Sequence, residues 1–166
     1  MIRVALLSAA LLLGGCGLRP LYGGGGAGPV AQALQSVEVG PIEGRAGWLV
    51  RTALEDRLGA PPGKGGAVAY RLEVELEDEI TGLGLRADQA ITRERRSLRA
   101  RYRLVDAQGA VVLDATAGSD AGIDVVGSEY ATVAAEQTAL ERLSREVADQ
   151  IVARVALYAS RTGAAR

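Results

Sequence analysis

Between Arg93 and Arg103, in the stretch ITRERRSLRARYRLVD, six of eleven residues are arginine. A guanidinium is planar, permanently charged and able to give paired hydrogen bonds to phosphate or carboxylate, so anion recognition is the chemistry this cluster offers. A second cluster lies just upstream, where Glu73, Glu75, Glu77 and Glu79 occupy alternate positions. Paired carboxylates such as Glu73 and Glu75 are the parts of an acid/base catalyst acting on glycans. Two residues apart on one exposed strand, however, they enclose no desolvated cleft. The chain also has no His and one Cys, and no nucleophile elbow, metal-ligand cluster or phosphate loop is visible. Catalysis is therefore disfavoured, and no metal or cofactor is expected.

The parity of the arginine stretch says what must hold it. Arg93, Arg95, Arg99, Arg101 and Arg103 fall on one parity and Leu98, Ala100, Tyr102 and Leu104 on the other, the alternation of a half-buried strand. The preceding strand alternates in the same way, Val68, Tyr70, Leu72, Val74 and Leu76 against Arg71 and the glutamates. Glycines and an Asp in TGLGLRADQ make the turn between them, so an antiparallel hairpin with carboxylates opposite guanidiniums is expected. Two roles follow for the arginine face: cross-strand pairing, assigned to Arg95, Arg99 and Arg101, or direct contact with an anion. Arg86, Arg93 and Arg96 lie nearer the tip or off the paired face and are freer for the second.

The 19 basic and 20 acidic residues nearly cancel, to a net charge of -1, so bulk charge gives no reason to expect nucleic acid as a partner. An anion must be met by a local patch.

Around the hairpin, QSVEVGPI reads as a short first strand stopped by Gly40 and Pro41. Trp48, Leu49, Ala53, Leu54 and Leu58 recur at helical spacing over about residues 45–58. A DAQG turn leads into a third long strand through Val111 and Leu113, and Gly118 to Gly127 reads as a connection. Leu140, Leu143, Val147, Ile151, Val155 and Tyr158 trace one face of a long final helix, with Ser128 as its cap. The expected fold is α+β, a two-layer sandwich of a four-stranded mixed sheet with two helices on one face, in the order β-α-β-β-β-α.

The N-terminus MIRVALLSAALLLGGCG has a basic residue, an apolar run of about 10 residues and small residues before Cys16, the plan of a signal peptide too short to span a bilayer. The residues before Cys16 resemble a bacterial lipobox, which would make this cysteine the lipid-modified N-terminus, and Gly17 after it points to the outer membrane. The division expected is a signal peptide over 1–15, the lipidated Cys and a Gly/Pro-rich tether over 16–34, one domain over 35–160 and a flexible tail over 161–166.

Taken in order, the leader, GCGLRPLYG, the WLVRTALEDRL helix, the LRADQAITR hairpin tip and the SEYATVAAEQTALERLSREVADQIVARVALYAS helix resemble the bacterial lipopolysaccharide-assembly lipoprotein family, LptE, in its alphaproteobacterial form. That resemblance implies an outer-membrane lipoprotein that assists assembly of the LptD β-barrel, sits in it as a plug, and binds lipopolysaccharide during export. It places the lipopolysaccharide contacts on basic side chains around the central hairpin, and Arg86 matches by local pattern; Arg93 and Arg96 join it as neighbours. The sequence departs from the family pattern after Arg103, since no Lys or Arg occurs again before Arg142, and a basic contact from the third long strand is missing. The alternative is a lipid-anchored auxiliary component of another envelope lipid-transport complex.

Overall fold

The computed structural model describes residues 28–59, 68–85 and 91–163. Cys16, the leader and Arg86 lie outside them. The elements in chain order are α1 (Pro29–Gln35), β1 (Val37–Val39), α2 (Gly44–Leu58), β2 (Tyr70–Leu85), β3 (Ile91–Asp106), β4 (Val111–Asp124) and α3 (Glu129–Gly163). The strands form one sheet in the order β1-β2-β3-β4. β1 runs parallel to β2, and the other pairs are antiparallel. This is the expected mixed four-stranded sheet, with three helices instead of two.

The extra helix, α1, falls where the sequence reads as tether. Pro29 stands in its first turn, where a missing N–H costs nothing. Ser36 ends it by donating its hydroxyl to the Ala33 carbonyl at 2.7 Å, and Leu34 is buried in the core. A seven-residue helix is marginal alone; the burial of Leu34 gives it tertiary support.

α2 buries Ala46, Gly47, Val50, Ala53, Leu54 and Leu58, a stripe rotated from the one that includes Trp48, which is 64 % exposed. The reason is close approach. A Cβ on Gly47 would lie 2.6 Å from the Ile42 carbonyl oxygen, so the chain entering the helix rests on this residue and no side chain fits at that position. Gly59 closes the helix in the left-handed conformation, φ 71°, with its N–H donating to the Glu55 carbonyl.

β2 and β3 pair over their full length, with Glu73 opposite Arg103, Glu75 opposite Arg101 and Glu77 opposite Arg99, the register that alternation demands. Asp106 forms the next turn by accepting the N–H groups of Gln108 and Ala110. β4 then continues through Gly118 to Asp124, where a connection is expected from the glycines. Those glycines make room instead of breaking the strand: a Cβ on Gly118 would stand 2.6 Å from Arg99 Cδ, while Ala117, Ala121 and Ile123 on the opposite parity are buried.

Leu72, Leu98, Tyr102 and Leu104 of the sheet meet Leu143, Val147, Ile151 and Val155 of α3, all fully buried or nearly so. Burying each such side chain contributes about 1.5–3 kcal/mol before entropy is counted. At the end of the helix Tyr158 packs edge-on to Tyr70, with ring centroids 6.1 Å apart. One face of the sheet is thereby covered by helices, and the odd-numbered arginines of β3 line the other.

Candidate functional site

The open face carries three columns of charge, one per long strand: Glu73, Glu75, Glu77 and Glu79 on β2, arginines on β3, and Asp114, Asp120 and Asp124 on β4. The pairing expected was with the glutamates. The structure directs most of it to β4 instead. Arg99 grips Asp120 with one terminal nitrogen at 2.8 and 3.0 Å from the two carboxylate oxygens and gives the other to the Ser119 carbonyl. Arg101 reaches Asp114 at 3.2 Å and Arg93 reaches Asp124 at 3.1 Å. On this face Arg103 turns to β2 instead, bridging Glu73 at 3.3 Å and Glu75 at 3.8 Å. The space above Gly118 lets Arg99 lie across β4. Glu77, directly opposite Arg99, consequently has no ion pair among the described residues.

Asp120 is the best-held carboxylate of the face. Ser97 donates its hydroxyl at 2.6 Å, and this bond, followed by the one from Arg99, holds the carboxyl below its ordinary titration range. The Asp114 hydrogen bond likewise raises the Arg101 guanidinium.

Among the expected anion contacts, Arg93 is on the open face near the tip of the hairpin, partly engaged by Asp124. Arg96 is not free. It points to the helix side, where Nε and one terminal nitrogen hold the two Asp78 oxygens at 2.8 and 2.6 Å. Its other terminal nitrogen donates to the Glu136 carbonyl of α3 at 3.0 Å. The side chain is 12 % exposed, and the Asp78 hydrogen bond raises its pKa against the opposing effect of burial. Even parity put Arg96 on the helix side, and its job there is to fasten α3 to the sheet.

Arg95, expected like Arg99 and Arg101 to pair with the acidic strand, pairs with neither neighbouring strand among the described residues. Its cross-strand neighbours are Thr81 and Gly122, so no carboxylate stands directly opposite on either side, and among the described residues it makes no ion pair or hydrogen bond. The signal was the register: the glutamate alternation ends at Glu79, one step before the Arg95 row.

Glu73 and Glu75 share Arg103 on an open surface, a geometry of charge pairing. Among the described residues no three His, Cys, Asp or Glu side chains converge to hold a metal ion, and no helix is long and apolar enough to cross a membrane.

A family model for LptE, lipopolysaccharide assembly, matches residues 34–155, from α1 into the last turns of α3. The chain belongs to the LptE family. Solved structures share the architecture. A lipoprotein of Caulobacter crescentus is 28 % identical, with a TM-score of 0.65 over 79 % of this chain and 96 % of that one. Lipoprotein B of Nitrosomonas europaea, at 18 % identity and a TM-score of 0.58 over 75 % and 88 %, has the same fold. So does a minor lipoprotein of Acinetobacter baumannii, at 15 % identity and 0.59 over 73 % and 90 %. Comparison with curated protein sequences finds no match. The LptE match spans the whole sheet, so the columns of charge belong to the part of the chain the family defines.

Proposed function

We propose that this LptE-family protein is an outer-membrane lipoprotein, held by lipid on Cys16, that supports and plugs an LptD-type β-barrel and contacts lipopolysaccharide with the tip end of its open sheet face. Membership of the family supports the assembly role. The observation that carries the binding role is Arg95, exposed at the hairpin end of the sheet, with Thr81 and Gly122 directly opposite and no ion pair among the described residues, although its charge is felt by Asp120 one row away. Arg93 stands beside it on the same face, and its exposed pair with Asp124 is weak enough to exchange for phosphate. Arg86, outside the described residues, follows β2 directly and belongs to the same end of the hairpin by sequence. The bisphosphorylated headgroup of lipid A is the anion that such a group of arginines suits, because phosphate accepts paired guanidinium hydrogen bonds. Arg96 contributes by holding α3 in place, not by touching ligand.

Titration with lipopolysaccharide tests the assignment. A charge-assisted bond to phosphate contributes about 1.5–3 kcal/mol, so Arg95→Glu should weaken binding roughly tenfold or more while the melting temperature holds. Arg96→Glu should do the reverse, lowering the melting temperature by leaving Asp78 beside a second carboxylate. Normal binding by both Arg95→Glu and Arg93→Glu would remove the open face from consideration. Co-purification of a β-barrel from detergent-solubilised membranes tests the partner, and an ABC-type complex in its place would refute it.

A further inference from the structure

The two edges of the sheet are finished differently. On β4, the side-chain amide of Gln150 in α3 accepts from the Gly118 N–H at 3.2 Å and donates to its carbonyl at 3.1 Å, and Ser119 donates its hydroxyl to Glu146. The helix thus occupies main-chain groups at the middle of that edge. On β2 the only cover among the described residues is β1, which pairs with Tyr70, Arg71 and Leu72 and stops; Gly40 adds a last bond to the Leu72 carbonyl at 2.9 Å. The antiparallel ladder turns the main-chain groups of Glu73, Glu75, Glu77 and Glu79 toward β3 and those of Val74, Leu76, Asp78 and Ile80 outward. None of these outward groups meets a partner among the described residues. Asp78 shows the effect, for its carboxylate is largely covered by Arg96 while the residue as a whole is exposed.

Side chains along this edge specify what fits it. On the open face Glu77 and Glu79 are exposed and make no ion pair among the described residues, since Arg99 turns from Glu77 to Asp120 and Glu79 stands opposite Ser97. On the helix side buried Val74 and half-buried Leu76 are followed by Asp78, its charge taken up by Arg96, and then by Ile80, 41 % exposed beyond the cover of the helices. Two copies joined through this edge would set glutamate against glutamate, a like-charge opposition that disfavours self-pairing. We infer that the free β2 edge from Val74 to Ile80 receives an extended segment of a partner protein in which basic and apolar residues alternate. That segment adds a fifth strand, with its basic side chains over Glu77 and Glu79 and its apolar ones extending the Leu76 and Ile80 row. The inference goes beyond the lipopolysaccharide role and stands without it.

The test titrates the full chain in detergent with two labelled eight-residue peptides, one alternating Arg and Val and one alternating Glu and Val, followed by anisotropy and amide hydrogen exchange. The basic peptide should bind in preference and slow exchange at Leu76, Asp78 and Ile80. Ile80→Pro removes one outward N–H and no ladder bond, a change that edge strands tolerate. It should weaken the basic peptide roughly tenfold with melting and lipopolysaccharide binding unchanged, so that failure here leaves the earlier reading intact. Equal binding of both peptides, or full binding by a folded Ile80→Pro, overturns the inference. So does a dimer of the free chain that Ile80→Pro makes monomeric. Should Ile80→Pro fail to fold, Glu77→Lys combined with Glu79→Lys decides: preference should pass to the acidic peptide, and an unchanged preference overturns the inference.

Discussion

Asp120 accepts a hydroxyl from Ser97 and both carboxylate bonds from Arg99, and so ties β3 to β4 across the open face. Its carboxyl is held below the ordinary value near 3.9 of an unfolded chain. A group depressed in the folded state contributes stability above its unfolded pKa and loses it as pH falls through the folded one. Acidification from neutral pH should therefore lower the melting temperature of the native chain more steeply below about pH 4 than that of Asp120→Asn. Parallel curves would show that this exposed pair adds nothing, the common result for surface salt bridges. Which arginines face outward was legible from parity alone, and so was the helix-side position of Arg96. Their partners were not, because alternation fixes a side chain's face but not the direction in which it leans. The lean of Arg99 toward Asp120 depends on the space above Gly118, on a strand whose extent the sequence reading cut short.

The elements read most securely are those whose pattern was long: the hairpin and α3, whose stripe of Leu140, Leu143, Val147, Ile151 and Val155 is buried as its spacing requires. α1 was hidden by the glycines before it and by its own brevity, although Pro29 and the four-residue step from Val30 to Leu34 were present as signals. In α2 the apolar Trp48 suggested a stripe that small residues override. Packing at this scale is tested on the two helices together. Leu143→Ala should cost about 2–5 kcal/mol, because it opens a cavity under α3, while Arg145→Ala on the exposed side should cost little. Gly47→Ala should also destabilise, by about 1–3 kcal/mol, despite alanine's better helix propensity. Its Cβ meets the Ile42 carbonyl carbon and oxygen, main chain that has nowhere to move. Thermal melts rank the three, and a stabilised Gly47→Ala would mean that α2 enters the core less closely than described.

For the whole molecule, the proposed lipid on Cys16 separates anchoring from folding. Fatty-acid labelling should disappear in Cys16→Ser and, expressed without a barrel partner, the protein should leave the membrane fraction with its melting temperature unchanged; labelling equal to wild type would refute the assignment. The length of the sheet adds a spatial consequence. β2 and β3 have 16 residues each and α3 has 35, so at about 3.3 Å per strand residue and 1.5 Å per helix residue both layers measure roughly 50 Å. The described chain begins at α1, next to β1, which pairs with the Tyr70 end of β2; Arg93 and Arg95 lie toward the Leu85 end. The start of the described chain and the pair Arg93 and Arg95 thus lie toward opposite ends of a body longer than the roughly 30 Å hydrocarbon layer of a bilayer. If the protein stands upright in a barrel as proposed, with the described chain's start at the inner leaflet, it would act as a ruler long enough to carry Arg93 and Arg95 past the far side of the membrane core.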